Sequence, residues 1–185
     1  MGLTESEIIS RVQSGETEIF SELYEAYVRK IYAFIFYKTH HRESAEDLSS
    51  QTFLKALNKI NSFDQEKGTF QAWLYQIARN GVTDHYRSLK ISSNIEDVWD
   101  LSSGDDVARD ASVRDQLAEV QGALQRFSPA QREIVILRVW EGLHYAEIAE
   151  IVGKSEAACK MDFSRTIKNL KKEIILTLLL LPLTF

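Results

Sequence analysis

Apolar side chains recur every three or four positions near the start of the chain, which is the spacing of one face of an α-helix. They are Ile19, Phe20, Leu23, Tyr24, Tyr27, Val28, Ile31 and Ile35. The same period predicts further helices over 44–60 and from Thr69 to about Leu89, and no strand-like alternation competes with it. The chain has only two prolines and eight glycines among 185 residues, too few for the many turns of a sandwich or barrel. The sequence therefore predicts an all-α fold.

Two more helices are predicted in the C-terminal half, over 113–127 and 129–141. Ser128 suits the N-cap of the second one, and Pro129 suits its first position. Gly142 marks its end.

A helix-turn-helix is predicted after these elements, because a short helix over 145–152 precedes Gly153 and a long helix that Ser155 can cap. Gly153 permits the left-handed turn. Between Lys154 and Lys172 the chain has six basic and two acidic residues, and such cations contact DNA phosphates. The alternative is an amphipathic bundle helix with solvated lysines.

The segment 92–112 is predicted to be a flexible acidic linker between two small helical domains, 1–91 and 113–185. It is rich in Ser, Asp and Gly and lacks helical periodicity. Its net charge is −5, against −1 for the residues before it and +1 for those after it. The overall charge of −5 therefore does not argue against nucleic-acid binding, because a partner responds to local charge.

Catalytic patterns are missing from the sequence. The single cysteine cannot form an intramolecular disulfide, and none of the four histidines has the spacing of a zinc site. No Gly-rich phosphate loop or nucleophile elbow occurs. We therefore expect no catalytic residue, no metal, no cofactor and no small-molecule substrate, and we expect that the chain is not an enzyme.

A cytoplasmic location is expected, since Glu5, Glu7 and Arg11 interrupt any N-terminal signal sequence. The apolar run over 174–185 is shorter than the ~20 residues of a membrane span. It is expected to extend the last helix and fold back on its bundle, and a partner-binding tail is the alternative.

Aromatic and basic residues alternate over 67–90, a composition that suits unpaired nucleotides because bases stack on rings while cations follow phosphates. The alternative for Phe70 and Trp73 is a place in the core. The residues of this mixture are Lys67, Phe70, Trp73, Tyr75, Arg79, His85, Tyr86, Arg87 and Lys90.

Three blocks together resemble the successive signatures of bacterial sigma factors of the extracytoplasmic-function type. They read AEDLSSQTFLKAL over 45–57, FQAWLYQIARNGVTDHYR over 70–87 and SPAQREIVILRVWEGLHYAEIAEIVG over 128–153. The resemblance extends over about 15–175. It implies a non-enzymatic factor that binds core RNA polymerase and directs promoter-specific initiation, recognising the −10 and −35 elements and helping to melt the −10 region. An anti-sigma factor is a further candidate partner.

The resemblance also implies roles for individual residues. Polymerase binding falls on Glu46, Asp47, Leu48, Gln51, Thr52 and Phe53. A loop over 63–70 is expected to capture a flipped base of the −10 element. The residues implied in contacts to this element are Phe63, Lys67, Phe70, Trp73, Tyr75, Arg79, Asn80, Asp84, Tyr86 and Arg87. Contacts to the −35 element fall on Lys154, Ser155, Glu156, Lys160, Ser164, Arg165 and Lys168.

Asp162 departs from the family pattern, which has an arginine at this position. We expect either that Asp162 faces DNA and repels phosphate, or that it pairs with Arg165 on the same helix. Two other functions stay open: a stand-alone helix-turn-helix regulator of duplex DNA, and a helical protein-interaction module.

Overall fold

The computed structural model describes residues 2–92 and 126–180, with side chains over 2–89 and 126–172. Seven α-helices and two short 3-10 turns occur in these ranges, with no strand among them, so the all-α prediction is confirmed. The chain divides into two compact units, residues 1–104 and 105–185. None of the described helices is long and apolar enough to cross a lipid bilayer.

The first unit contains four helices. They are α1 (Glu5–Gln13), α2 (Phe20–Thr39), α3 (Arg42–Lys59) and α4 (Phe70–Ser92), with 3-10 turns at Thr17–Ile19 and Ile60–Ser62. Helices α2, α3 and α4 pack against one another. The apolar face predicted for α2 is largely buried, but Tyr24 is exposed.

Helix α1 is not anticipated by the sequence analysis, although a capping box marks its start. The Thr4 hydroxyl accepts a hydrogen bond from the backbone N–H of Glu7, and the Glu7 carboxylate accepts one from the backbone N–H of Thr4 at 2.7 Å. Ile8, Ile9 and Val12 bury the apolar face of α1. The reciprocal Thr-x-x-Glu pattern was the available signal.

The turn between α2 and α3 is only two residues long. His40 has a left-handed conformation with φ 50°, and its backbone N–H donates to the carbonyl oxygen of Phe36. His41 then caps α3, because its Nδ1 accepts from the backbone N–H of Ser44 at 3.2 Å. This turn sets the start of α3 at Arg42, two residues before the predicted one.

The second unit contains α5 (Pro129–Val139), α6 (Tyr145–Val152) and α7 (Glu156–Leu180). Ser128 is the N-cap of α5 and Pro129 its first residue, as predicted, and Gln131 completes a capping box with Ser128. Gly142 and Gly153 both have φ 69°, and Gly153 ends α6 in the left-handed conformation. The predicted helix-turn-helix is therefore confirmed as α6 and α7.

Buried side chains of all three helices, with Leu143 between α5 and α6, form the core of the second unit. They include Ile134, Leu137, Leu143, Ile148, Cys159 and Thr166. Burial raises the pKa of the Cys159 thiol, so this cysteine is an uncharged core residue, as expected. The Thr166 hydroxyl donates to the carbonyl oxygen of Asp162 at 2.7 Å, which satisfies the polar group that the core encloses.

Several sequence predictions fall on other parts of the chain. Apart from Ser92, which ends α4, the predicted linker 92–112 lies outside the described residues. The predicted helix 113–127 also lies outside them except at its last two positions. The linker and the domain boundaries at 91 and 113 stay predictions.

We predict that Thr4→Ala destabilises the first unit by about 1 kcal/mol, the usual cost of losing a side-chain N-cap. Urea unfolding followed by far-UV circular dichroism measures the change. Thr17→Ala is the matched control, because it makes the same chemical change at another exposed threonine. Equal effects of the two substitutions would contradict a role for the cap.

This stabilisation should also depend on pH. Hydrogen bonds from the Thr4 backbone and then from its hydroxyl lower the pKa of Glu7. A carboxyl whose pKa is lower in the folded state stabilises the fold above its ordinary pKa, and the stabilisation is lost as pH falls through the lowered value. Thr4→Ala keeps the backbone hydrogen bond and removes only the one from the hydroxyl. The difference in unfolding free energy between the wild type and Thr4→Ala should therefore narrow slightly in acid.

Candidate functional site

Helix α3 divides the six predicted polymerase-binding residues between two faces. Glu46, Asp47 and Gln51 are exposed, while Leu48, Thr52 and Phe53 are buried. The Nε of Arg42 lies 2.9 Å from Oε1 of Glu46, and Nε2 of Gln51 donates to Oδ2 of Asp47 at 3.2 Å. The three exposed residues can meet a partner, and the three buried ones hold α3 in the bundle.

An acidic groove runs between α3 and α4, with the exposed residues of α3 on one side. Its α3 side includes Glu43, Glu46 and Asp47, and its α4 side includes Gly81 and Asp84. Also in the lining are Lys55, His41 and His85. The carboxylates outnumber the single lysine, so the groove favours a cationic partner.

The predicted base-capturing aromatic residues form a cluster at the start of α4. The ring centroid of Trp73 lies 5.2 Å from that of Phe63 and 5.7 Å from that of Phe70. Phe70 is 1% exposed and Phe63 is also buried, whereas Trp73 is only partly buried. Phe70 therefore has the core position that was its alternative, and Trp73 keeps part of its ring at the surface.

Tyr75 and Tyr86 are also turned toward protein rather than solvent. Tyr75 is 0% exposed and meets the ring of Phe34 edge-on at 5.0 Å. The hydroxyl of Tyr86 donates to the carbonyl oxygen of Lys38 at 3.0 Å, and burial raises its pKa. Both rings fix α4 against α2.

The remaining −10 candidates lie on the polar side of α4 and in the loop before it. Asn80, Asp84 and Arg87 are exposed, and Arg79 is partly exposed. Nη1 of Arg87 lies 3.5 Å from Oδ1 of Asp84, at the limit of a hydrogen bond. In the loop, Nζ of Lys67 lies 2.8 Å from Oδ2 of Asp64, and this hydrogen bond raises the pKa of Lys67.

Helix α1 holds the loop that precedes α4, a role that sequence reasoning missed. Nε2 of Gln13 donates to the backbone carbonyl oxygens of Ile60 and Phe63, both at 2.8 Å. The Gln65 side chain bonds to the hydroxyls of Ser6 and Ser10 at 2.6 and 3.2 Å. The loop over 60–65 is thus fixed from one side before α4 begins.

In the second unit, the −35 candidates lie in the turn and along α7. The Ser155 hydroxyl accepts from the backbone N–H of Ala158 at 3.2 Å and caps α7. Nζ of Lys160 lies 2.6 Å from Oε1 of Glu156 and 5.8 Å from the ring centre of Tyr145. Farther along, Ser164, Arg165 and Lys168 are exposed.

Asp162 does not pair with Arg165, so that expectation is wrong. Its Oδ2 lies 2.6 Å from Nζ of Lys154 in the turn, and the two side chains are 20% and 35% exposed. Asp162 and Lys154 face each other because the turn after Gly153 brings residue 154 back against the second turn of α7. One of the predicted phosphate contacts is therefore engaged by an acid of the same unit.

Metal chemistry has no candidate site in the part of the chain that the structure describes. No group of three or more His, Cys, Asp or Glu side chains there could hold a metal ion. The candidate residues lie on helical surfaces that carry charged and aromatic side chains.

Two family models match the chain, one in each half. The model of Sigma-70 region 2 matches residues 23–91, and that of Sigma-70, region 4 matches residues 117–170. The first range contains α2 to α4, apart from the start of α2 and the last residue of α4. The second contains the helix-turn-helix, apart from the last ten residues of α7. The first match therefore lies in the first unit and the second match in the second unit.

The similar curated proteins are sigma factors, and they match most of this chain. The ECF RNA polymerase sigma factor BldN of Streptomyces coelicolor is 36% identical over 170 residues, which is 90% of this chain and 64% of that protein. The chain thus spans less than two thirds of that relative. The RNA polymerase sigma factor YlaC of Bacillus subtilis is 31% identical, with 83% of this chain and 90% of that protein covered.

Among solved structures, a similar one is the sigma factor RpoE from Bartonella quintana in complex with the anti-sigma factor NepR. Its TM-score is 0.71 at 28% identity, covering 83% of this chain and 94% of that one. The two family models match in the order expected for a sigma factor, and YlaC is matched over nine tenths of its length. These findings agree on the family. The chain belongs to the sigma-70 family of RNA polymerase sigma factors, in its extracytoplasmic-function type.

Proposed function

We propose that this sigma factor uses the exposed surfaces of α3, α4 and α7 for three separate tasks in promoter-specific initiation. As a sigma factor it binds core RNA polymerase and directs it to promoters. It contributes binding free energy, and RNA polymerase performs the chemical reaction. It acts in the cytoplasm, where the chromosome is. The observation that carries the proposal is that each of these helices buries one face and presents polar residues on the other.

The exposed residues Glu46, Asp47 and Gln51 make the polymerase contact. All three line the acidic groove, and the carboxylates of Glu46 and Asp47 complement a cationic helix or loop of polymerase. Leu48, Thr52 and Phe53 contribute indirectly, since their burial keeps the charged face of α3 turned outward.

The −10 contacts belong to Trp73, Lys67 and the polar side of α4. Stacking of a base on an aromatic ring contributes roughly 1–3 kcal/mol, and extruding a base from a duplex costs on the order of a few kcal/mol. The two are comparable, so a partly exposed ring on a surface that also carries cations can hold a transient opening. Phe63, Phe70, Tyr75 and Tyr86 serve as the packed support behind this surface.

The −35 contacts belong to α7. Arg165 and Lys168 are exposed on the helix and supply phosphate contacts, while Lys160 and Glu156 occupy its first turns. Ser155 caps the helix and Ser164 lies on its exposed side.

An anti-sigma factor is proposed as a further partner. The similar sigma factor from Bartonella quintana was crystallised with the anti-sigma factor NepR. A protein that covers the polar faces of α3 and α4 would compete with polymerase for the same carboxylates.

Run-off transcription with core polymerase on genomic fragments tests the proposed function. Discrete transcripts that require this chain support it. A palindromic footprint on duplex DNA without polymerase, together with no transcript, would instead favour a stand-alone regulator.

We predict that Asp47→Arg weakens association with core polymerase at least tenfold and leaves the melting temperature nearly unchanged. Asp47 is exposed and lies beyond the first turn of α3, where the helix dipole has little effect. Pull-down of core polymerase and a thermal melt measure the two quantities. Glu18→Arg is the matched control, because it makes the same charge change at another exposed acid. An unchanged pull-down would contradict the assignment.

We predict that Asp162→Asn increases affinity for the −35 element, because it releases Lys154 from its ion pair. One additional phosphate contact should steepen the slope of log affinity against log salt by about 0.9. Holoenzyme binding to a promoter across a salt series measures it. The gain should vanish in the double variant Lys154→Met, Asp162→Asn. A gain that persists there would mean that Asp162 repels phosphate directly.

A further inference from the structure

Met161 occupies the middle of the solvent-facing side of α7. A helix turns by about 100° per residue, so Met161 lies about 200° around the axis from Cys159 and about 180° from Leu170. Both of those residues are buried and define the packed face. Among the residues of α7 whose side chains the structure describes, Met161 is the only exposed large apolar one, with 49% of its surface exposed.

The neighbours of Met161 divide this outer face into two parts. We call Ala157, Met161, Ser164, Arg165 and Lys168 the outer face of α7, since these exposed residues share one side of the helix. The half nearer the turn is uncharged and partly apolar, and the other half is cationic.

The other cations near the start of α7 lie at the flanks of this face. Lys154 is paired with Asp162, and Lys160 is paired with Glu156. Met161 lies about 100° around the axis from both Lys160 and Asp162, so these pairs leave its outward direction open. The surface that the first turns of α7 offer to a ligand is therefore centred on a thioether and the methyl group of Ala157.

The major groove of DNA has one apolar group at its base edges, the C5-methyl group of thymine. A methionine side chain offers no hydrogen-bond donor and only a weak acceptor, so it is poorly suited to reading the donor and acceptor pattern that distinguishes the other bases. It is long, flexible and polarizable, and it packs readily against a methyl group. Arg165 and Lys168, one and two turns farther along the same face, can hold the phosphates that flank the groove.

We propose that Met161 is a specificity-determining residue that contacts the C5-methyl group of a thymine in the −35 element. This inference rests on the proposed function of α7. It extends that function by naming the base and the chemical group that are recognised. Ala157, one turn before Met161, lies beside the same methyl group.

Replacing thymine by deoxyuridine tests the contact, because this change removes only the methyl group. A promoter is first selected from a randomised −35 library by wild-type holoenzyme. Each −35 thymine is then replaced singly, and holoenzyme affinity is measured for the wild type and for Met161→Ala, Met161→Leu and Asn169→Ala. Met161→Leu keeps an apolar side chain, and Asn169→Ala is an exposed control on the same helix.

At one thymine, the wild type should lose about fourfold in affinity on replacement, the value for one methyl-sized group removed from an apolar contact. Met161→Ala should bind the thymine and deoxyuridine promoters equally, while Met161→Leu and Asn169→Ala should keep the preference. Because Met161 is exposed, all variants should have wild-type melting temperatures.

A thymine preference that persists unchanged in Met161→Ala would overturn the proposal, and so would a selected −35 element without thymine. Neither result would affect the proposed function, because transcription would still depend on the chain. Failure of the wild-type holoenzyme to select any promoter would overturn the proposed function and this inference together.

Discussion

The packed face of α4 determines what the first unit presents to solvent. Tyr75 meets Phe34 edge-on, and Leu74 and Ala78 are buried beside it. A helix is stiff about its own axis, so fixing one side fixes the direction of the other. Asn80, Asp84 and Arg87 therefore face outward as a consequence of aromatic packing on the far side of α4.

Helix α7 is held in the same way in the second unit. Leu170 packs against Val135 of α5, with Phe127, Phe163 and Ile167 around them. The ring of Phe163 also meets Tyr145 edge-on at 5.8 Å. These contacts bury one side of a long helix. The opposite side is not needed for packing, so it can serve as a recognition surface.

The ion pairs on these surfaces can be replaced by contacts with a binding partner. The pairs Arg42–Glu46, Lys67–Asp64 and Lys160–Glu156 join exposed side chains, and such pairs contribute between about 0 and 1 kcal/mol. A phosphate or a partner's charged group can replace either member at small cost. Local pairing thus matters more than the net charge of −5, because it sets which cations are available when a partner arrives.

Local chemistry explains which features were predictable. The Thr69 hydroxyl accepts a hydrogen bond from the backbone N–H of Ala72 at 3.2 Å at the start of α4. This cap, the caps at Ser128 and Ser155 and the turn at Gly153 involve neighbouring residues only, so their positions can be read along the chain. Helix α1 could have been found by the same rule from Thr4 and Glu7. The helix-turn-helix and the all-α class follow from such signals and from the apolar period.

Packing between distant residues decided the rest. Phe70, Trp73 and Tyr75 are all aromatic and close together in the sequence. Only contacts across the bundle show that Phe70 and Tyr75 are in the core while Trp73 reaches the surface. The bond of Gln13 to the loop before α4 joins residues about fifty positions apart. The pair between Lys154 and Asp162 depends on the angle of the turn. No one-dimensional pattern contains these relations, because burial and pairing depend on which faces meet once the helices have packed.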